Sequence, residues 1–196
     1  MNSLQLIGGL VGIIANVLVI LAILKPNSLV EQSFAAFLLW GLLDVIAAVT
    51  TYTQPGHGNY YLPAGYAFSG LGVAACLFIK KQRDWGWIET GTVTLVLVCL
   101  YIWYKSGDKS ATVASSIAVI IAAIPQGVDA YKKPEKMPLK LYWIYLLAAL
   151  VSFFAGKDWT VKERFYSGAV VFLTIGAIAI TILRRKRKRE LASAAL

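Results

Sequence analysis

Seven apolar stretches separated by short polar breaks follow one another along the whole chain, and no other feature limits the fold so tightly. A helix needs about 20 apolar residues, at 1.5 Å each, to cross a hydrocarbon core of ~30 Å. Segments 4–24, 33–52, 61–79, 85–104, 111–131, 141–156 and 165–183 come close to that length. Glu89 interrupts the fourth, and Lys157 cuts the sixth short. With 58% hydrophobic against 15% charged residues, the 196-residue chain lacks the polar surface of a soluble domain. The pattern predicts one all-α integral-membrane domain with seven transmembrane helices.

The first stretch has no basic segment before it and no small-residue cleavage pattern, so a retained first helix is expected and not a signal peptide. Cys76 and Cys99 sit inside apolar runs, where a thiol behaves as a small hydrophobe. Neither a disulfide framework nor a Cys-rich metal site is expected. His57 is the only histidine, which excludes HExxH and multi-His metal centres. No cofactor is expected.

Basic residues orient the spans. With the C-terminus inside, fourteen of the 19 Lys and Arg residues fall on the inner side, six of them in the run RRKRKR from Arg184 to Arg189, and five on the outer side. The N-terminus is therefore expected outside and the C-terminus in the cytoplasm, with the cell (inner) membrane as the location. The same run accounts for much of the net charge of +9. A basic cluster directly after a span is a topology and lipid-headgroup feature, so membrane lipids are expected partners and nucleic acid is not.

A repeat lies within the helices. An offset of 108 pairs Ile13 with Ile121, Ala15 with Ala123, Leu38 with Leu146, Leu39 with Leu147 and Ala47 with Ala155. It also pairs Lys25-Pro26 with Lys133-Pro134 at two helix ends, and the aromatics Phe34 and Phe37 with Tyr142 and Tyr145. Because the offset spans an even number of helices, the two halves share one membrane orientation. The expected plan is two parallel three-helix repeats joined by a linker helix: 1–84, linker 85–110, and 111–190, with 184–196 as a basic cytoplasmic tail. Such a fusion allows a monomer to form a whole pathway, and a homodimer is also compatible.

The segment IPQGVDAYKKPEKMPLKLYW, residues 124–143, sets a Pro-Gln pair inside a helix, then a basic turn, then a Met-Pro pair opening the next helix. It resembles the PQ-loop motif. Together with the 3+1+3 plan, the chain resembles the PQ-loop and SWEET superfamily, which includes cystinosin-like carriers and is similar in fold to bacterial vitamin-precursor transporters. The resemblance implies a transporter working by alternating access, with Pro125 as a hinge and Gln126 beside it in the pathway. The first half carries Val17-Leu18 at the positions of Pro125-Gln126. Where SWEET sugar carriers tend to have a Pro-Asn pair in each third helix, this chain has Pro63-Ala64 and Ser167-Gly168. The solute class therefore stays open among sugars, amino acids and vitamin precursors.

An ionisable residue inside a membrane is costly and is a functional candidate by default. Asp44 lies deep in the second stretch, and Asp129 about one turn from the inner end of the fifth. At 100° per residue, Phe37, Trp40, Asp44 and Thr51 fall within about 60° of one another, an aromatic and acidic stripe. The aligned positions in the sixth stretch give Tyr142, Tyr145, Ala149 and Ser152, the expected facing stripe. Asn16 is a polar residue in an otherwise apolar span. The candidate substrate-binding set is Asn16, Trp40, Asp44, Gln126, Asp129, Tyr145 and Ser152, with Pro125 as hinge. Asp44 reads either as a solute or proton-coupling carboxylate or as a structural acid bonded to a neighbouring helix.

No nucleophile lies beside a base and no metal spacing is present, so an enzyme is not expected. The expected function is a secondary transporter for a small polar solute, with protons as a candidate coupling ion. The alternative is a seven-helix receptor or scaffold without transport.

Overall fold

The structure, a computed structural model, describes residues 3–26, 28, 30–53, 57–106 and 111–194. These residues form α1 (Ser3–Leu24), α2 (Phe34–Thr53), α3 (Tyr61–Ile79), α4 (Trp87–Ser106), α5 (Ala111–Ala122), α6 (Ile124–Lys132), α7 (Leu139–Phe154) and α8 (Val161–Ala194). A 3-10 turn, Pro134–Lys136, joins α6 to α7, and no strand occurs among the described residues.

Four helices, α1, α2, α3 and α8, are long and apolar enough to cross a membrane. Of the other three expected spans, α4 covers the 20 residues Trp87–Ser106, α7 has 16 residues, and one is divided. The fifth stretch breaks at Ala123 into α5 and α6. Pro125 has no N–H to offer the Ile121 carbonyl, so the regular ladder cannot pass it. Ala123 instead donates to the Ile120 carbonyl at 3.1 Å, and Gly127 restarts the helix by donating to the Ala123 carbonyl at 2.9 Å. At the other extreme, α8 does not stop where the apolar residues end. It runs through the basic segment to Ala194, 34 residues or about 51 Å at 1.5 Å per residue. Residues 184–194 thus continue the last helix.

Exposure is inverted relative to a water-soluble bundle. On α1 the exposed residues are Leu4, Ile7, Leu10, Ile14 and Leu21, spaced as one helical face, while Gln5 and Asn16 are buried. An outer surface this apolar, over polar residues turned inward, is stable in lipid and a liability in water. The chain is a membrane protein.

The packing divides the helices into two trios. In one, α3 packs against both α1 and α2; in the other, α8 packs against α5, α6 and α7. The trios meet through α1 against α7 and α2 against α5, and α4 rests mainly on α5. A shared core of Leu39, Leu43, Leu62, Ala118, Ala149 and Val170 fills the junction.

Without a hydrophobic drive between helices in lipid, close packing and hydrogen bonds hold them together. The α1–α3 seam shows both. A Cβ on Gly9 would lie 2.7 Å from the Tyr61 carbonyl oxygen, and one on Gly65 would lie 2.8 Å from that of Gly9. Two turns on, the Asn16 amide donates to Ser69 Oγ at 2.7 Å. Gly9→Val is therefore expected to cost about 1–3 kcal/mol through overpacking. Gly176→Ala, where nothing lies within 4 Å, should be neutral. Thermal unfolding of the detergent-purified protein checks this, and equal midpoints for the two variants would contradict the close seam.

Candidate functional site: a buried aromatic cavity with one acid

A cavity of about 260 Å³ lies at the junction of the trios, bounded by all the helices except α4. Its aromatic wall is Phe37 and Trp40 from α2, Tyr66 from α3, Tyr142 and Tyr145 from α7, and Tyr166 from α8. The exposed Ile124 and Phe172 also line it.

The spacing of α2 places Phe37, Trp40 and Asp44 on this wall together, as the helical stripe implies. Thr51, the fourth stripe member, is buried but away from the wall, donating to the Ala47 carbonyl at 2.6 Å. Phe37 and Trp40 meet edge to face at 5.2 Å, and the Trp40 indole donates to the Val119 carbonyl at 3.0 Å, pinning α2 to α5. Asp44 is 3% exposed, and Tyr166 donates to its Oδ1 at 2.5 Å. Among the described residues Tyr166 is its only hydrogen-bond partner.

Asn16 links three helices. It donates to Ser69 and accepts from the Tyr145 hydroxyl. Tyr145 stands between Tyr66 and Tyr142, with ring centroids 5.9 and 5.6 Å away and both rings tilted steeply to its own. Gln126 reaches the wall from α6 and is also a cross-brace. Its Oε1 accepts from the Ser33 backbone N–H at 2.9 Å, and its amide donates to Met137 Sδ at 3.0 Å. Ser33 in turn caps α2, its Oγ accepting from Ala36 N–H at 3.2 Å.

Five of the seven sequence candidates, Asn16, Trp40, Asp44, Gln126 and Tyr145, thus share one cavity wall. Ser152 and Asp129 do not. Ser152 is fully buried at the far end, where its Oγ accepts from the Asn59 amide at 2.9 Å and bonds Ser167 at 3.0 Å. The absence of a side chain at Gly8 lets α1 close over it. Asp129 is half-buried near the basic end, off the wall, and Lys133 turns to Glu31. Pro125 is buried beside the break and is not part of the wall. Tyr66 and Tyr166 were absent from the sequence candidates. Each belongs to a helix central to its trio; Tyr166 shares a face of α8 with the buried Glu163, Thr174 and Thr181, a polar stripe that was the available signal. Among the described residues, no group of three or more His, Cys, Asp or Glu side chains is placed to hold a metal ion.

Both ends of the junction are closed by contacts between the trios. At the far end the Gln5 amide donates to Glu163 Oε2 at 2.9 Å, alongside the Asn59–Ser152 pair. At the basic end Glu31, in the α1–α2 connection, pairs with Lys133 at 3.0 Å and with Lys136. Beside it Tyr142 donates to Gln32 Oε1 at 2.9 Å. The extension of α8 braces the same turn. Arg185 donates to the Pro134 and Met137 carbonyls at 2.9 and 2.8 Å, and Lys188 pairs with Glu135 at 3.0 Å.

Partial burial pulls the Glu31 carboxyl upward, but the hydrogen bonds and charges of Lys136 and Lys133 outweigh it and hold the group below its ordinary value. The folded carboxyl then titrates lower than the unfolded one, near 4.3 (about) in model peptides, so the contact stabilises above that pH and is lost as pH falls through the folded value. Wild type should melt on the order of 2 °C above Glu31→Gln at pH 6, the scale of a partly exposed ion pair, and the gap should close toward pH 3. A gap independent of pH would show that Glu31 acts by packing alone.

Comparison of the chain with protein-family models, with curated proteins and with solved structures returned no match.

Proposed function

We propose that the protein is a secondary transporter that passes a small solute through the cavity by alternating access, and that it is not an enzyme. The observation that carries this is the closed junction: a cavity between two helix trios, shut at each end by side-chain contacts from one trio to the other. Exchanging the trios maps the α1–α7 interface onto the α5–α2 interface, and α3 onto α8. That exchange supports the reading of two parallel repeats, with α5 and α6 as one broken span, α4 as linker and seven spans in all. It also supports the resemblance to the PQ-loop and SWEET superfamily. The basic end, which gathers the Lys133 turn and the α8 extension, is the cytoplasmic side on this reading, with the N-terminus outside and the cell membrane as the location.

Alternating access requires the end closures to open in turn. The break at Ala123 lies on the cavity wall, and Pro125 keeps the two helix segments from fusing, so α6 is the hinged part. Asp44 supplies the one acid on the wall, as a solute contact or as the group that carries a proton.

Reconstitution into liposomes with a pH-sensitive dye inside tests the reading. Saturable uptake of one solute among sugars, amino acids, vitamin precursors and organic amines is expected, reduced at least about tenfold, or 1.4 kcal/mol, by Asp44→Asn. Solute-dependent acidification lost in that variant would establish proton coupling. Absence of flux for every solute, from protein that remains folded, would favour a receptor or scaffold.

A further inference from the structure

We infer that the cavity is a site for a small organic cation with a compact apolar or aromatic body, of the quaternary-ammonium or pyridinium kind. The inference deepens the transport reading and rests on it only for the passage of the solute, not for its binding.

Charge is the first ground. The wall holds one acid, Asp44, and no Lys, Arg or His. The carboxylate has a single described partner, the neutral hydroxyl of Tyr166. An ionised carboxylate inside a membrane needs a compensating positive charge, and the protein places none on this wall. A bound cation supplies it.

Shape and donor chemistry are the second. Each donor-bearing side chain on the wall already donates to a protein acceptor. The Trp40 indole goes to Val119, Tyr66 to the Tyr145 carbonyl, Tyr142 to Gln32, Tyr145 to Asn16, and Thr174 to the Val170 carbonyl. Asn16, Gln126 and Tyr166 are likewise engaged with Ser69, Met137 and Asp44. Few donors remain for a sugar, which is recognised through many hydroxyls, beyond the second N–H of Asn16 and of Gln126. What the wall offers freely is ring surface. Seven aromatic side chains line the space, and an aromatic enclosure with one carboxylate is the arrangement that holds a weakly hydrated organic cation. The cavity, about 260 Å³, leaves room for a compact solute and not for a long chain.

Equilibrium binding to the purified full-length protein in detergent tests this without transport. The probes are choline and 3,3-dimethylbutan-1-ol, which has the same shape with a carbon in place of the charged nitrogen. Wild type should bind choline at least about tenfold more tightly, a difference of 1.4 kcal/mol. Asp44→Asn, checked for an unchanged melting point, should bring the two probes to parity; Phe37→Leu, which keeps the acid, should weaken choline and leave the alcohol nearly unchanged. If Asp44→Asn fails to fold, the wild-type preference decides alone. Equal binding of the two probes, or no saturable binding of choline and of N-methylpyridinium in the millimolar range, overturns the inference. Flux of a neutral solute alongside that result would leave the transport reading standing. Cation binding with no flux for any solute would leave the site and remove the transporter.

Discussion

Inside a bilayer a polar side chain cannot turn to water, and the structure depends on how that constraint is met. Gln5, Asn16, Gln126 and Ser152 are buried in the bundle, and each is hydrogen-bonded to a residue outside its own helix. The net gain from making one such bond is modest, about 0.5–1.5 kcal/mol, but leaving the group without a partner costs about 1–3 kcal/mol. The asymmetry makes these bonds instruments of register more than of stability. A one-turn slip of α1 against α7 and α8 would separate Asn16 from Tyr145 at the cavity and Gln5 from Glu163 at the far end together. The polar contacts that align the trios therefore also fix the size and contents of the space between them.

Asp44 fits that pattern in geometry, its Oδ1 accepting from Tyr166 across the junction of the trios, and departs from it in charge, as the one acid on the cavity wall. Substituting a carboxylate by a neutral amide would satisfy a purely structural bond from Tyr166 equally well. The acid is intelligible when something positive, a proton or a cation, shares the space with it.

Much of the fold was legible because hydropathy is summed over some twenty residues. Single positions then matter little, and the helix bounds came within a few residues for α1, α2 and α3. Local chemistry marked the fifth span too, since Pro125 announced a break. The length of α8 was not legible: a charge run was read as the end of a helix, yet charged residues in water sustain one, and Arg185 and Lys188 here have carbonyl and carboxylate partners. The stripe on α2 located Phe37, Trp40 and Asp44 because one helix carries all three. Tyr66 and Tyr166 were missed for the opposite reason, since their relation to Asp44 arises only when α3 and α8 pack. The offset of 108 matched Ser152 to Asp44, but Asp44 lines the cavity whereas Ser152 is buried at the far end among Asn59 and Ser167, so the matched positions have different surroundings.

The two trios are alike in packing, but one holds an unbroken helix where the other has a break. In the first, α1 is unbroken over 22 residues, with Val17 and Leu18 where the second half has Pro125 and Gln126. In the second, the ladder is interrupted beside the cavity. On the transport reading this has a mechanical consequence. A rotation of α6 about Ala123 carries Gln126 and the Lys133 turn with it, straining the bonds to Ser33 and Glu31 that close the basic end. The far-end closure joins Gln5 and Asn59 to α7 and α8, none of which includes the break. One hinge can then release one end while the other holds, which is the order of events that alternating access demands.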